Sequence, residues 1–346
     1  MPLADIAESV WYGDAMTSRV ARVALAPASA LYGAAVAQVN MLAVMRKATP
    51  GPIPAISIGN LTVGGTGKTP VSAWFARRFR DAHASPAIVL RGYGDDEVQV
   101  HRLLTPDVPV FAGADRVRQV QAAAEAGADV AILDDAFQHR RAARIADVVL
   151  VSADRWTGSV RLLPAGPFRE PLRALRRATL VIITVKAADA ARVQSAERAI
   201  RSVTSAPVVT VDLTPTTFVP VGTPDRSHPV DWTGRRVLAV SGIGDPGAFA
   251  AQLSRMGLLP TPLVFADHHP YAAADVRRIT EAAAGQTAVI CTLKDAVKLE
   301  SQWPSSAVPL WYLSQTVVPR DGADALDEVV QSVLLARRGA VPIPNL

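Results

Sequence analysis

The sequence predicts an α/β protein: a parallel sheet with helices on both faces, followed by a smaller second α/β domain. Two observations predict this. From Ala55 onward, short apolar runs alternate with amphipathic stretches, the pattern of strands covered by crossover helices. A proline- and threonine-rich stretch from Leu213 to Thr233 then breaks the alternation once, which reads as a linker.

Taken in order, Ala55 to Ile58 reads as a buried strand ending in a glycine-rich turn. Val71, Trp74, Phe75 and Phe79 follow at helical spacing and give that helix one apolar face. Pro86 to Leu90 predicts the next strand, and Asp115 to Ala126 a helix stopped by Gly127. Val130 to Leu133, Val148 to Val151 and Leu180 to Val185 are further strands. Beyond the linker, Val237 to Val240 reads as a strand. Asp245 then caps a helix with Pro246 at its first position and Gly257 just past its end. Ala288 to Cys291 and Pro309 to Leu313 complete the strand set.

Composition narrows the function. Of 346 residues, 49% are apolar and 19% charged, which supports substantial cores and argues against disorder. A single cysteine, Cys291, excludes a disulfide framework and a cysteine metal site. The net charge of +5 suits anionic partners such as nucleotides or acidic lipid surfaces. No basic stripe interleaved with aromatics is present, so nucleic acid is not an expected partner. Nor does any feature point to an obligate protein partner.

The N-terminal stretch from Val23 to Met45 carries no charge and is about long enough to span a bilayer. Pro27, Gly33, Gln38 and Asn40 interrupt it, and Arg19, Arg22, Arg46 and Lys47 flank it. Three readings stay open: a helix lying in the membrane interface, a single span, or a helix packed on the first domain.

The strongest chemical signal is the run from Gly59 to Pro70, Gly-Asn-Leu-Thr-Val-Gly-Gly-Thr-Gly-Lys-Thr-Pro. It follows a strand and opens a helix, the context that a P-loop requires. Glycines let the backbone amides of Thr62, Val63, Gly64, Gly65, Thr66 and Gly67 turn toward phosphate, and the helix N-terminus adds partial positive charge. Lys68 is expected on the β- and γ-phosphates of ATP, and the Thr69 hydroxyl on Mg²⁺. Thr62 stands where the common pattern has its first glycine. The strand Val130 to Leu133 ends in Asp134 and Asp135, where the second metal-holding element of a P-loop enzyme sits. Gln138 and His139 follow and would orient metal waters or the γ-phosphate, or simply hydrogen-bond within a turn.

These residues resemble the tetraacyldisaccharide 4′-kinase family of the lipid A pathway. The resemblance rests on six motifs in order. They are the phosphate loop; Arg91-Gly-Tyr-Gly94; Asp134-Asp-Ala-Phe-Gln-His-Arg140; Leu163-Pro-Ala-Gly-Pro-Phe-Arg-Glu-Pro171; Asp267-His268 with Tyr271; and Thr292-Leu-Lys-Asp-Ala-Val-Lys298. It covers about residues 15 to 315. It implies a P-loop NTPase-like fold, ATP and Mg²⁺ as cofactors, and phosphorylation of the 4′-hydroxyl of a tetraacylated glucosamine disaccharide 1-phosphate to give lipid IVA. It further implies an N-terminal helix on the cytoplasmic face of the inner membrane. The expected segments of the chain are 1–50 (membrane-associated helix), 51–214 (nucleotide-binding domain), 215–234 (linker) and 235–346 (smaller C-terminal domain).

The same resemblance implies site roles. Asp96 is the base for the acceptor hydroxyl, paired with His268, and closure of the two domains would assemble them. Gln138 belongs with the nucleotide. Asn60, Arg91, Tyr93, His139, Arg169 and Glu170 meet the substrate, the Arg169 fork suiting a phosphate. Arg173, Arg176 and Arg177 meet lipid head groups or form a solvated helix face. Thr292 and Asp295 also fit a helix cap. The chain departs from the family at Ala136 in place of glycine, at Leu293 in place of glutamate, and in a shortened segment before Asp95-Asp96-Glu97-Val98. A switch ATPase with a deviant P-loop is the alternative, but its signature lysine is Val63 here.

Overall fold

The structure, a computed structural model, describes residues 3–92, 95–222, 231–267 and 269–339. The chain forms two compact units. One holds Leu3–Asp212 together with the chain from Val317 onward, and the other holds Leu213–Thr316.

The first unit opens with α1 (Leu3–Tyr12) and the long α2 (Met16–Met45). Then come β1 (Ala55–Asn60), α3 (Lys68–Asp81), β2 (Pro86–Leu90), α4 (Asp95–Leu104) and β3 (Val110–Ala112). They are followed by α5 (Arg116–Glu125), β4 (Val130–Asp134), β5 (Ala146–Ser152), β6 (Leu180–Val185), α6 (Ala190–Arg201) and β7 (Val208–Pro220). The strand order is β3-β2-β4-β1-β5-β6-β7, with parallel pairing throughout this stretch. Every residue of β1, β2, β4, β5 and β6 is buried, which is why these strands read as unbroken apolar runs. Val71, Phe75 and Phe79 of α3 are fully buried, as their spacing requires. Asp115 caps α5, its Oδ1 accepting the Val117 and Arg118 N–H groups at 3.1 and 3.3 Å.

The second unit contains β8 (Arg236–Ser241), α7 (Pro246–Arg255), β9 (Leu259–Val264), α8 (Ala273–Ala282), β10 (Ala288–Thr292), α9 (Leu293–Leu299) and β11 (Leu310–Asp321). Its strands run in the order β11-β10-β8-β9, again parallel. The last helix, α10 (Ala323–Arg337), belongs to the first unit. There Asp327 pairs with Arg78 of α3, and Arg337 Nη2 lies 2.6 Å from Asp129 Oδ2.

The observed division therefore differs from 51–214, 215–234 and 235–346. The first six residues of the expected linker, 215–220, belong to strand β7, and the chain after Thr316 rejoins the first unit. Prolines at 215 and 220 suggested a linker. Yet this strand is only partly buried toward its end, where proline costs a sheet little.

Candidate active site

β1 lies between β4 and β5, and register pairs Ile58 with Asp134. This sets the phosphate loop beside the acidic tip of β4. Gly59 is dictated by packing, since a Cβ there would come within 2.5 Å of Phe137 Cβ and 2.8 Å of its backbone nitrogen. Gly64 and Gly67 take left-handed φ values of 102° and 85°, which curl the loop into α3. The loop is tied from below. The buried Asn60 donates from Nδ2 to Thr66 Oγ1 at 2.7 Å, the Thr184 hydroxyl donates to the Thr66 carbonyl at 3.0 Å, and Val63 N–H reaches the Pro167 carbonyl at 2.9 Å. Asn60, expected to meet substrate, is wholly buried. Its side chain bonds Thr66 and accepts from Arg169, so it holds the loop's shape from within.

At the β4 tip the two adjacent aspartates have different surroundings. Asp135, with its side chain 42% exposed, lies 3.7 Å from the Lys68 ammonium. The Arg169 fork donates to its two oxygens at 2.9 and 3.3 Å. Crowding by protein pushes the Asp135 carboxyl upward, but Lys68 and Arg169 outweigh this and hold its pKa at about 2. Its φ of 49° is left-handed, a conformation that costs an L-residue about 1 kcal/mol. Asp134 is buried; its Oδ1 accepts the Asp135 N–H at 2.9 Å and its Oδ2 lies 2.8 Å from Nε2 of the buried His101 on α4. His101 is absent from the sequence-based site.

Around this centre, Gln138 donates to the Asn60 carbonyl at 2.9 Å and to Glu170 at 3.1 Å. Glu170 also receives Arg177 at 3.0 Å and Asn40 of α2 at 3.0 Å. Burial, with Arg116 and Arg144 nearby, pushes the His139 imidazole pKa down, favouring its neutral form. Arg144, buried itself, holds the turn after Phe137 by donating to the Phe137 and His139 carbonyls. Arg177 is bonded to Glu170 and lies 4.4 Å from the Phe137 ring, so it faces inward. Arg173 and Arg176 are exposed.

One face of α2 completes the surroundings. Ser29 bonds the Leu162 carbonyl at 2.9 Å and accepts the Ala165 N–H at 3.0 Å, and the Tyr32 hydroxyl reaches the Arg169 carbonyl at 3.2 Å. A cavity of about 230 Å³ opens beside them, lined by Gly33, Val36, Asn40, Glu170, Arg173 and Arg177 among others. The other face is exposed and apolar, with Val23, Leu31, Val39 and Met45 each at least 66% exposed. Among the described residues this is the one helix long and apolar enough to cross a membrane, by length and composition alone.

Asp96 lies in the first turn of α4, and Arg91 is exposed just after β2. Tyr93 and His268 lie outside the described residues. Within the second unit, the two C-terminal motifs converge on Asp295. Its wholly buried carboxylate accepts Tyr271 O–H at 2.9 Å, Gly242 N–H at 3.1 Å and Thr292 O–H at 2.6 Å. Thr292 caps α9 as its spacing from Asp295 predicts, and His269 is engaged with Asp275 at 2.9 Å.

A strand-loop-helix phosphate cradle, its lysine facing an ionised carboxylate on the adjacent strand tip, defines a P-loop phosphotransferase. The comparisons specify which. The family model for tetraacyldisaccharide-1-P 4′-kinase matches residues 21–335, so the chain belongs to that family. The tetraacyldisaccharide 4′-kinase of Halorhodospira halophila is 36% identical, over 96% of this chain and 98% of the relative. That of Afipia carboxidovorans is 35% identical over 84% and 86%. A crystal structure of the Aquifex aeolicus family member in complex with ATP matches with a TM-score of 0.70 at 26% identity, covering 90% of this chain and 99% of that one. The chain is accordingly an ATP-dependent kinase of lipid A biosynthesis, acting on the 4′-hydroxyl of the tetraacylated disaccharide 1-phosphate. The switch-ATPase alternative is not favoured.

Proposed function

We propose that Thr69, Asp134 and Asp135 hold Mg²⁺ with the ATP phosphates, and that Asp96 receives the proton of the 4′-hydroxyl. The donor set fits the metal. Carboxylate and hydroxyl oxygens suit a hard cation, and Mg²⁺ is commonly held by one or two carboxylates with phosphates and water. Among the described residues no cluster of three or more His, Cys, Asp or Glu competes for that role. Asp135 stays ionised at neutral pH, so its charge is available without a protonation cost. Bound there, the metal would neutralise charge on the transferring phosphoryl group.

The observation that carries this reading is the 3.7 Å approach of Lys68 to Asp135 at the mouth of the phosphate loop. Lys68 binds and orients the β- and γ-phosphates. The loop amides of residues 62 to 67 hold them in line with the acceptor. Arg169, on loan to Asp135 and Asn60, is placed to turn toward a phosphate oxygen. Gln138 stays with the nucleotide, His139, Glu170 and Arg91 border the acceptor side, and the cavity against α2 offers apolar walls and arginines suited to an acylated, phosphorylated sugar. α2 rests with its apolar face on the cytoplasmic side of the inner membrane, where that substrate resides.

The test follows transfer of label from ATP to the disaccharide 1-phosphate in detergent, with and without Mg²⁺. Asp96→Ala is expected to lower kcat by roughly 10²-fold while ATP affinity stays within about twofold. Wild-type turnover in that variant would remove Asp96 from the mechanism.

A further inference from the structure

We infer that His101 is a positioning residue for the metal-holding end of β4. Its ring N–H orients Asp134, and Asp134 in turn fixes the left-handed turn that presents Asp135 to Lys68. Both groups are out of solvent, with side-chain exposures of 1% for His101 and 10% for Asp134. The 2.8 Å contact joins His101 Nε2 to Asp134 Oδ2, while Asp134 Oδ1 accepts the Asp135 N–H at 2.9 Å. A donor on each oxygen removes the carboxylate's freedom to rotate about its terminal bond. The next residue is then held in a conformation that L-residues rarely adopt, and such conformations persist where surrounding bonds over-determine them.

His101 is itself well anchored. Its carbonyl accepts both the hydroxyl and the N–H of Thr105 at 2.9 Å, closing the end of α4. Arg77 of α3, the helix that opens with Lys68, donates to the Leu104 carbonyl at 3.3 Å. The chain of contacts therefore runs from the phosphate-loop helix, through the end of α4, to Asp134 and on to Asp135. Asp96 sits on the same α4, so one buried bond also fixes that helix against β4.

The inference rests on the proposed Mg²⁺ reading, and binding without turnover separates the two. The affinity for a non-hydrolysable ATP analogue is measured by calorimetry in EDTA and in Mg²⁺ for wild type, His101→Leu and His101→Gln, with melting temperatures alongside. The expected result for His101→Leu is an unchanged affinity in EDTA and a metal-dependent gain reduced about tenfold or more. His101→Gln, whose amide N–H can reach the Nε2 position, recovers most of that gain. A full metal-dependent gain in His101→Leu overturns the inference and leaves the metal reading intact. Equal losses in EDTA and in Mg²⁺ also overturn it, because they mark a general packing defect. A wild-type protein with no metal-dependent gain sinks both. Should His101→Leu not fold, His101→Asn, whose shorter amide does not reach the Nε2 position, takes its place, and a full metal-dependent gain in that variant overturns the inference.

Discussion

The phosphate loop and helix α2 lie close together in the chain and are built on opposite physics. In the loop and the β4 tip, buried and half-buried polar side chains are tied to partners: Asn60 to Thr66, Arg169 to Asp135, Asp134 to His101. In α2, a few polar groups (Ser29, Tyr32 and Asn40) dock one face, while the opposite face leaves Val23, Leu31 and Val39 in solvent. The loop needs fixed charge geometry in a partly desolvated site, because preorganised charge does the catalytic work. The exposed face of α2 is apolar, and such a surface gains only where its area is removed from water. If this contrast is right, substitutions in the two regions fail in different assays.

The largest effect is expected at Lys68. Lys68→Met keeps the apolar stem and removes the ammonium, so kcat/KM for phosphoryl transfer should fall by about 10³-fold. Vesicle binding should stay at the wild-type value, and the melting temperature should fall only slightly, by the screened contribution of the Lys68–Asp135 contact. A variant within tenfold of wild type would show that the loop works through its amides alone.

Next comes Gly59. Its alanine Cβ would run into the Cβ and backbone nitrogen of Phe137, which is fully buried and cannot swing aside. Gly59→Ala is expected to destabilise the protein by about 1–3 kcal/mol. Urea titration measures this, and an unchanged midpoint would mean that β1 and the turn after β4 tolerate a shift.

The helix gives the opposite pattern. Leu31→Asp with Val39→Asp places charge on the exposed apolar face without touching Ser29, Tyr32 or Asn40. Co-flotation with anionic phospholipid vesicles should drop by about tenfold or more. Turnover of a short-chain, water-soluble substrate analogue should change less than about twofold. Equal loss in both assays would mean that this face packs on protein.

The same contrast explains what could be read from the sequence. The phosphate loop was legible because its chemistry is local: a strand, glycines, a lysine and a helix start fall in sequence order. The paired aspartates were legible as a pair. Their unequal roles were not, since the difference is made by His101, 33 residues away in the chain. Nothing in the motif around Asp95-Asp96 marks a histidine about one and a half helical turns later as buried. In α2, Gly33 and Asn40 looked like interruptions of a span. They serve as docking points, Asn40 to Glu170 and Gly33 beside Leu162, and a non-local partner is again the reason. Strands β7 and β11 extend beyond what their sequence signals for a different cause: partial burial dilutes the apolar pattern along their length.

The smallest effect concerns pH and separates charge from shape at the β4 tip. Lys68 and Arg169 lower the Asp135 pKa from 3.8 to about 2, so the folded state binds a proton there less readily than the unfolded chain does. The sign follows: the ionised carboxylate stabilises the fold above about pH 4, and that contribution is lost as the pH falls toward 2. Asp135→Asn removes the titration but keeps the size of the side chain. The urea midpoints of wild type and variant should therefore differ at pH 6 and converge as the pH approaches 2. Because the side chain is 42% exposed, solvent screens part of the interaction and 1 M salt should shrink the difference at pH 6. A difference that persists unchanged to pH 2 would show that Asp135 contributes through its left-handed backbone and packing, and that the Lys68 contact is incidental to stability.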